Sequence, residues 1–491
     1  MNDNYLKIIN NIQNKKILCI GDIILDHYIN NELIKISEED PVNVIKRSKD
    51  SFKLGGVGNV ALNLKNFGID LDLITLGSKD DKFNIIKKLL KENYINSKIF
   101  YFENSKTTIK ERQYVNNYHL LRTDDERYFE NKKNHTDIII NFINKKIKLK
   151  NYDAILVSDY GKGLISKLFF SKLSTIAKKY KIKIFVDPKS NDLNKYSGSF
   201  CIKPNKREMN LFLEKFGFTS SDLLIKNKIK KIKYALNKTN ISNFIVTRSN
   251  QSTIYFKNDK KMTATTTRVN ELNVVNTTGA GDTFFSVFVC FYLVTNKFKI
   301  SISIANLFSE FAVKKFGTYA PSLYDLIFNV LKIKKFDYIK DSKTLKKLIP
   351  EIKKNNNIKI GFTNGCFDIL HSGHIKLFKE AREKCDLLIV GLNSDLSVKK
   401  NKGIERPFNE LNSRLDVLEA ITYIDLICVF NDKTPIKLIK VIKPDILFKG
   451  SDYKNKEIVG TNIIKKNNGK VRLISIKKNF SSSKYIKKLK K

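Results

Sequence analysis

Tryptophan is absent from this 491-residue chain, histidine occurs five times and cysteine six. The cysteines (Cys19, Cys201, Cys290, Cys366, Cys385 and Cys428) are scattered, with no CxxC and no pairing rhythm. That excludes a disulfide scaffold and reads as free thiols in a reducing cytosol. No window approaches the ~20 uninterrupted apolar residues that span a bilayer. The N-terminal MNDNYLKIIN lacks the basic, then apolar, then small-residue pattern of a secretion signal. A cytoplasmic protein without a membrane partner is expected. Acidic residues are scarce, 49 against 91 lysines and arginines, for a net charge of +42. An excess of that size invites a nucleic-acid reading. However, lysine far outnumbers arginine and is dispersed along the whole chain, and Lys, Asn and Ile are enriched together. Those residues share A/T-rich codons, so the charge reads as codon bias spread over tolerant surface. No nucleic-acid partner is expected, although such a surface attracts small anionic substrates.

What is present is alternation. At roughly 150 residues per domain the length implies about two to four units. Strand-length apolar runs recur at KKILCIGD (15–22), YDAILVSDY (152–160), IKIFVDP (182–188) and NFIVTRS (243–249), with helical segments at Ile165–Tyr180 and Leu223–Asn237. This order predicts a parallel sheet covered by helices on both faces. ISISIANLFSEFAVKKFG (300–317) predicts a buried helix ending at Gly317. Charge then rises and apolar content thins over 332–342, the expected linker. A shorter alternation follows: IKIGFTNG (358–365), DLLIVGLNSD (386–395), DLICVFND (425–432), DILFKGSD (445–452) and VRLISI (471–476), separated by helices at His374–Lys384, Asn412–Ile421 and Pro435–Ile442. The domains expected are therefore 1–331 and 343–491.

NTTGAGDTFFSVF (276–288) sets Gly279, Ala280, Gly281 and Asp282 ahead of an apolar helix. Glycines allow a tight turn that presents N–H groups at a helix start, where an anion is favoured. A carboxylate beside an anion site is electrostatically costly unless it has a task, and accepting the proton of an attacking hydroxyl in phosphoryl transfer is such a task. On this stretch alone, an ordinary acidic first-turn residue is the alternative. LGGVGNVALNL (54–64) adds Gly55, Gly56 and Asn59, where backbone can close on a polyhydroxyl ligand. GDIILDHY (21–28) places Asp22 and Asp26 at the carboxyl end of the first strand, where open α/β sheets bind ligands. KPNKRE (203–208) supplies Asn205 and Glu208, suited to a magnesium shell or equally to a helix cap.

Taken in order, these residues resemble the ribokinase-like (PfkB) carbohydrate kinase family. The likeness is anchored by NTTGAGD, which is similar to the family's DTTGAGD signature, with Asn276 at its head instead of aspartate. The resemblance implies Asp282 as catalytic base and Gly279, Ala280 and Gly281 as the anion hole. It implies Asn205, Lys206, Arg207 and Glu208 at Mg-ATP, with Glu208 toward Mg2+. Asp22, Asp26, Gly55, Gly56 and Asn59 would bind the sugar.

FTNGCFDILHSGH (362–374) holds two of the five histidines, three residues apart at a strand-to-helix transition. Two imidazoles at a helix N-terminus can donate to phosphate oxygens and stabilise charge that builds as one phosphate attacks another. A zinc site would need a third ligand, and no His or Cys pairing lies nearby. Cys366 has no base beside it. The stretch resembles the HxGH signature of the nucleotidyltransferase superfamily. The resemblance implies His371 and His374 as catalytic residues. It implies Thr363, Asn364, Gly365, Phe367, Asp395, Lys400 (or Lys399), Arg414, Lys449 and the hydroxyls of Ser481, Ser482 and Ser483 as nucleotide-binding.

A sugar kinase followed by a nucleotidyltransferase resembles the family of fused heptose-phosphate kinase/adenylyltransferases. ISEEDPVNVIK (36–46), TTIKERQYVNNYHLLRTDDE (107–126), VSDYGKG (157–163) and VDPK (186–189) add to the likeness. The fold implied is α/β: a ribokinase-like doubly wound sheet with a small β lid, then a Rossmann-like nucleotidyltransferase domain. Phosphorylated heptose and ATP would be the substrates, Mg2+ the ion, and a homodimer through the kinase lid the assembly. Lys110, Arg112, Arg122 and Lys189 are candidates for the sugar phosphate. The HSGH string does not choose between ATP and CTP, and another sugar kinase fused to a cytidylyltransferase is the near alternative.

Overall fold

Every residue of the strand Ala154–Ser158, and all but the first of Lys16–Gly21, is buried. Continuous rather than alternating burial is what a parallel sheet covered on both faces demands. The computed structural model describes residues 11–103, 105–115, 118–126, 128–190, 192–217, 229–248, 252–258, 263–267, 276–321, 358–451 and 458–475, with Asp325, Leu345, Lys346, Ile349, Pro350 and Lys353. The chain divides into two units, Leu6–Ser322 and Leu323–Lys491. The expected linker at 332–342 and Ser481–Ser483 lie outside the described residues.

In the front unit the strands are β1 (Lys16–Gly21), β2 (Ile23–Ile36), β3 (Asn43–Gly56), β4 (Asp70–Gly77), β5 (Asn96–Tyr101), β6 (Ile109–Val115), β7 (Tyr118–Asp125), β8 (Ala154–Ser158), β9 (Lys183–Asp187), β10 (Cys201–Ile202), β11 (Asn243–Val246), β12 (Thr253–Lys257) and β13 (Thr263–Thr267). The main sheet has the order β13-β12-β11-β10-β9-β8-β1-β4-β5, parallel from β5 to β11 and antiparallel at β12 and β13. On one face Leu18 and Ile20 pack with Ile139, Ile143, Phe169, Phe170, Met209 and Phe212 of the helices Lys133–Leu149, Lys167–Lys179 and Lys206–Glu214. On the other face Cys19 lies near Cys290 of the helix Ala280–Thr295. That helix is buried from Asp282 through Tyr292, packed against Phe298–Val313 and Val57–Asn66.

A second sheet, in the order β3-β2-β6-β7, stands apart from the main one. It corrects the expectation for Asp26. Only Asp22 follows the first strand; Asp26 lies within β2, which belongs to this second sheet and pairs with β3 and β6. A second difference concerns the helix over 300–317, which spans Phe298–Val313. Gly317 (φ +69°) instead sits in the following loop, where a Cβ would stand 3.1 Å from Lys53 Nζ. The segment expected as a helix from Leu223 to Asn237 is described only from Ile229 onward, where it is helical.

In the rear unit β14 (Ile360–Gly365), β15 (Leu387–Asn393), β16 (Leu426–Phe430), β17 (Ile446–Gly450) and β18 (Lys470–Ile474) form an all-parallel sheet in the order β16-β15-β14-β17-β18. Its core joins Leu388, Val390 and Leu392 to Leu377 and Phe378 of the helix Ser372–Arg382 and to Leu415 and Leu418 of the helix Leu411–Glu419. In the main sheet β1 lies between β4 and β8, and in the rear sheet β14 lies between β15 and β17, so each first strand has the next strand of its sheet on one side and a later one on the other. Such a reversal opens a crevice at the carboxyl ends of the strands, between β1 and β8 in front and between β14 and β17 behind.

Two candidate active sites

At the front switch point, strand ends supply the polar groups in succession. Asp22 follows β1, Asp159 and Tyr160 follow β8, Asp187 closes β9 and Lys203 follows β10. The backbone locks them in step: Asp22 N donates to Ser158 O at 3.2 Å, and Asp159 N to Asp187 O at 3.0 Å. Gly279 (φ +79°) caps the helix that carries Asp282, and a Cβ there would meet Asn59 Nδ2 at 2.9 Å. This is the left-handed, close-approach position that only glycine occupies without strain.

Asp282 is buried, and both its oxygens are held. Asn59 Nδ2 donates to Oδ2 at 2.8 Å and Tyr160 Oη to Oδ1 at 2.8 Å. Asn63 Nδ2 donates to Asn59 O at 2.7 Å and Oδ1 at 3.2 Å, which turns the Asn59 amide so that its NH2 faces Asp282. Burial pushes the Asp282 carboxyl up to about 6, against the hydrogen bonds from Asn59 and Tyr160 and the charge of Lys203. Asp22 is likewise raised to about 6 by burial and by Asp159; the N–H groups of Lys162 and Tyr160 oppose this, donating to its Oδ2 at 3.0 and 2.9 Å. Lys203 is buried 3.0 Å from Asp187. Burial works against its charge, but Asp187 outweighs that and keeps the ammonium protonated. Asp187 itself is pushed up to about 7, by burial first.

Asp26 forms a buried ion pair with Arg112 at 2.7 Å, and a Cβ on Gly55 would stand 2.6 Å from Asp26 Oδ2. Gly55 and Arg112 therefore serve the same carboxylate. Removing one partner of such a pair typically costs about 3–5 kcal/mol. Asn205 and Glu208 form a reciprocal helix cap, each side chain accepting the other's backbone N–H at 2.9 Å. Glu208 Oε1 lies 3.6 Å from Lys189 Nζ. Lys206 and Arg207 are exposed. Lys110 pairs with Asp124 at 3.2 Å and Glu126 at 2.9 Å, and Arg122 with Asp124 at 2.9 Å. Tyr160, Asp187 and Lys203 carried no assigned role from sequence reasoning, although VSDYGKG, VDPK and KPN contain them.

The rear site is built around β14. Lys449, buried on the neighbouring β17, donates from Nζ to Asn364 Oδ1 at 2.7 Å and Asn364 O at 3.1 Å across the switch point. Phe367 holds φ +45°, an unfavourable conformation for a bulky residue. Its ring is buried between Phe378, at 5.1 Å, and the edge of His374, at 5.3 Å, which offsets the strain. The imidazoles of His371 and His374 stack with centroids 3.9 Å apart. His371 N donates to His374 Nδ1 at 3.4 Å, so neutral His374 carries its proton on Nε2. Burial, then His371 and Lys402, pushes His374 down to about 3. At neutral pH it is thus a single-proton donor rather than a cation.

Arg414 is a brace for this site. Fully buried, it donates to the carbonyls of Asn409 (2.9 Å), Cys366 (2.7 Å) and Asn393 (2.8 Å) and to Asp395 Oδ1 (2.6 Å). Asp395 Oδ2 accepts from Leu411 N at 3.3 Å, so both its oxygens are engaged within the protein. Thr363 is fully enclosed in the sheet, while Lys399, Lys400 and Lys402 are exposed. Of these three, Lys402 is the one whose charge reaches His374 and Cys366.

Two corners of this kind, on two doubly wound sheets, define a phosphotransferase joined to a nucleotidyltransferase. Residues 14–324 match the pfkB family carbohydrate kinases, and residues 362–488 the cytidylyltransferase-like family. Phosphofructokinase-2 of Escherichia coli, in complex with substrates and products, shares the front fold at a TM-score of 0.51 and 14% identity, over 63% of this chain and 96% of that one. Bifunctional protein HldE of Aliarcobacter butzleri is 37% identical over 455 residues, covering 91% of this chain and 92% of the relative. Bifunctional protein HldE of Campylobacter jejuni is 35% identical over 480 residues, covering 97% and 98%. The chain belongs to the HldE family of bifunctional enzymes, with a carbohydrate-kinase half and a nucleotidyltransferase half.

Proposed function

We propose that the front unit transfers the γ-phosphate of ATP to the anomeric hydroxyl of D-glycero-D-manno-heptose 7-phosphate, giving the 1,7-bisphosphate and ADP. The rear unit then couples heptose 1-phosphate, left after a separate phosphatase has acted, to ATP. It forms ADP-heptose for the lipopolysaccharide core and releases pyrophosphate, and both steps take place in the cytoplasm. The observation that carries the kinase half is Asp282, buried at the glycine corner with both oxygens oriented and its carboxyl held at about 6. Asp282 accepts the proton of the C1 hydroxyl as that oxygen attacks the γ-phosphorus in line. The N–H groups of Gly279 and Gly281 and the charge of Lys203 face the phosphate being moved, while Ala280 N closes the turn on Thr277 O. Glu208, with Oε2 engaged in the helix cap, would turn Oε1 from Lys189 toward Mg2+, which takes most of its ligands from polyphosphate and water. When bound, Mg2+ neutralises polyphosphate charge.

In the rear unit a phosphate oxygen of the sugar attacks the α-phosphorus of ATP, and pyrophosphate leaves. His374, protonated on Nε2, and His371 beside it donate to phosphate oxygens as charge builds. Lys449 fixes Asn364 at the switch point. The lid sheet carries exposed Leu33, Ile34 and Ile36 on β2, Leu121 on β7, and Val42 in the connection from β2 to β3. An apolar surface of this kind supports dimerisation through the lid.

The test supplies the purified chain with heptose 7-phosphate, and separately with heptose 1-phosphate, each with ATP or CTP and magnesium, and identifies products by mass. A bisphosphate in the first reaction and ADP-heptose in the second are expected. CDP-heptose, or no product from either sugar, would overturn the assignment.

A further inference from the structure

The VSDYGKG loop that follows β8 has no task in the scheme above, yet it touches both carboxylates of the kinase site. Tyr160 N and Lys162 N donate to Asp22 Oδ2 at 2.9 and 3.0 Å, while the Tyr160 side chain reaches Asp282 Oδ1 at 2.8 Å. The loop's shape is set independently of either contact. Gly161 (φ +69°) and Gly163 (φ +107°) take left-handed turns, and a Cβ on Gly163 would overlap Phe129 O at 1.8 Å. Asp159 Oδ1 accepts from Gly161 N at 2.8 Å, while its Oδ2 accepts from Tyr196 Oη at 2.7 Å and Lys195 Nζ at 2.5 Å. One rigid loop thus offers a peptide N–H to Asp22 and a phenol to Asp282, which is 122 residues further along the chain.

Resting on the assignment of Asp282 as base, we infer that Tyr160 is a positioning residue of the kinase reaction. Its hydroxyl holds the ionised Asp282 carboxylate in line with the sugar hydroxyl, and its peptide group sets Asp22 in the same frame. The phenol remains a donor because burial, and then Asp282 and Asp187, push its own ionisation well above the ordinary tyrosine range. Tyr160 and Asn59 each occupy one lone pair on a different oxygen of Asp282. Each oxygen keeps a second lone pair, and either can receive the substrate proton. The other charged groups acting on the base are Lys203, Asp26 and Asp187, and none of them replaces a donor on Oδ1.

The test is Tyr160→Phe in the full chain, which removes one oxygen and leaves the ring and both backbone donors. A lost donor to a carboxylate raises that carboxylate's pKa. The acid limb of kinase kcat/KM should therefore move to higher pH by about one unit. At pH 6 the loss should be about fivefold, shrinking toward pH 8, and carried by kcat more than by sugar KM. Adenylyl transfer, measured on the same sample, should be unchanged, and a denaturant unfolding curve matching wild type serves as the folding control for the front unit. An acid limb at its wild-type pH, with or without a uniform drop in rate, overturns the inference. Asp282→Asn keeps the two ideas distinguishable. If that variant still phosphorylates sugar, the base assignment fails; if it is inactive while Tyr160→Phe keeps the wild-type limb, the inference on Tyr160 fails by itself.

Discussion

Asp282 and His374 show the same physics with opposite sign. Burial disfavours charge at both, so the carboxyl rises to about 6 and the imidazole falls to about 3. The carboxylate is the form that accepts a proton, so sugar phosphorylation should fall as pH drops through about 6. That is well above the range of a free aspartate. Asp282→Asn should lower phosphorylation by about 10²–10⁴-fold, the usual share of a general base, and leave adenylyl transfer intact. His374→Ala should do the reverse. Coupled assays of both half-reactions on each variant check this, and loss of both activities from one folded variant would refute independent sites. GAGD and HSGH were legible in the sequence because each is a contiguous string whose glycines and chemistry lie within one turn. Tyr160, Asp187 and Lys203 were not, because they meet Asp282 only once β8, β9 and β10 lie side by side. Asn205 and Glu208 answer to two readings at once, since the same spacing that suits a magnesium shell closes a helix cap.

Among the elements, the parallel strands were the most readable, since burial on both faces writes each as an unbroken apolar run. β8 and β15 are buried at every position. The lid was less readable. Beyond Asn31 the end of β2 is exposed, and no apolar periodicity marks where the chain leaves the main sheet. Loops gave least notice, because their shape depends on what they strike. Gly161 and Gly163 differ in just this respect. Both take positive φ, but a Cβ on Gly161 meets only Lys189 Cγ at 3.8 Å, whereas on Gly163 it overlaps the Phe129 backbone. Gly161→Ala should cost about 1 kcal/mol, the conformational penalty by itself. Gly163→Ala should cost about 3 kcal/mol and depress phosphorylation, since the backbone must move as well. Denaturant unfolding of the two variants side by side tests the ranking, and equal losses would contradict it.

At the scale of the whole molecule, the proposed lid dimer makes a direct forecast. Ile34→Asp with Ile36→Asp places charge on exposed apolar strand positions, and light scattering should then report a monomer where the unaltered chain is dimeric. A wild-type monomer at micromolar concentration would dismiss the lid as an interface. Lysine far outnumbers arginine behind the net charge of +42, yet the two are not interchangeable. Arg406, which meets Asp368 through two of its nitrogens, and the four-point contacts of Arg414 use the guanidinium fork as an ammonium could not. Arg414→Lys should therefore abolish adenylyl transfer and lower the melting point of the rear unit, and a fully active variant would show that the brace is dispensable. The guanidinium forks of Arg406 and Arg414 thus mark seams of the rear unit that tolerate no approximation.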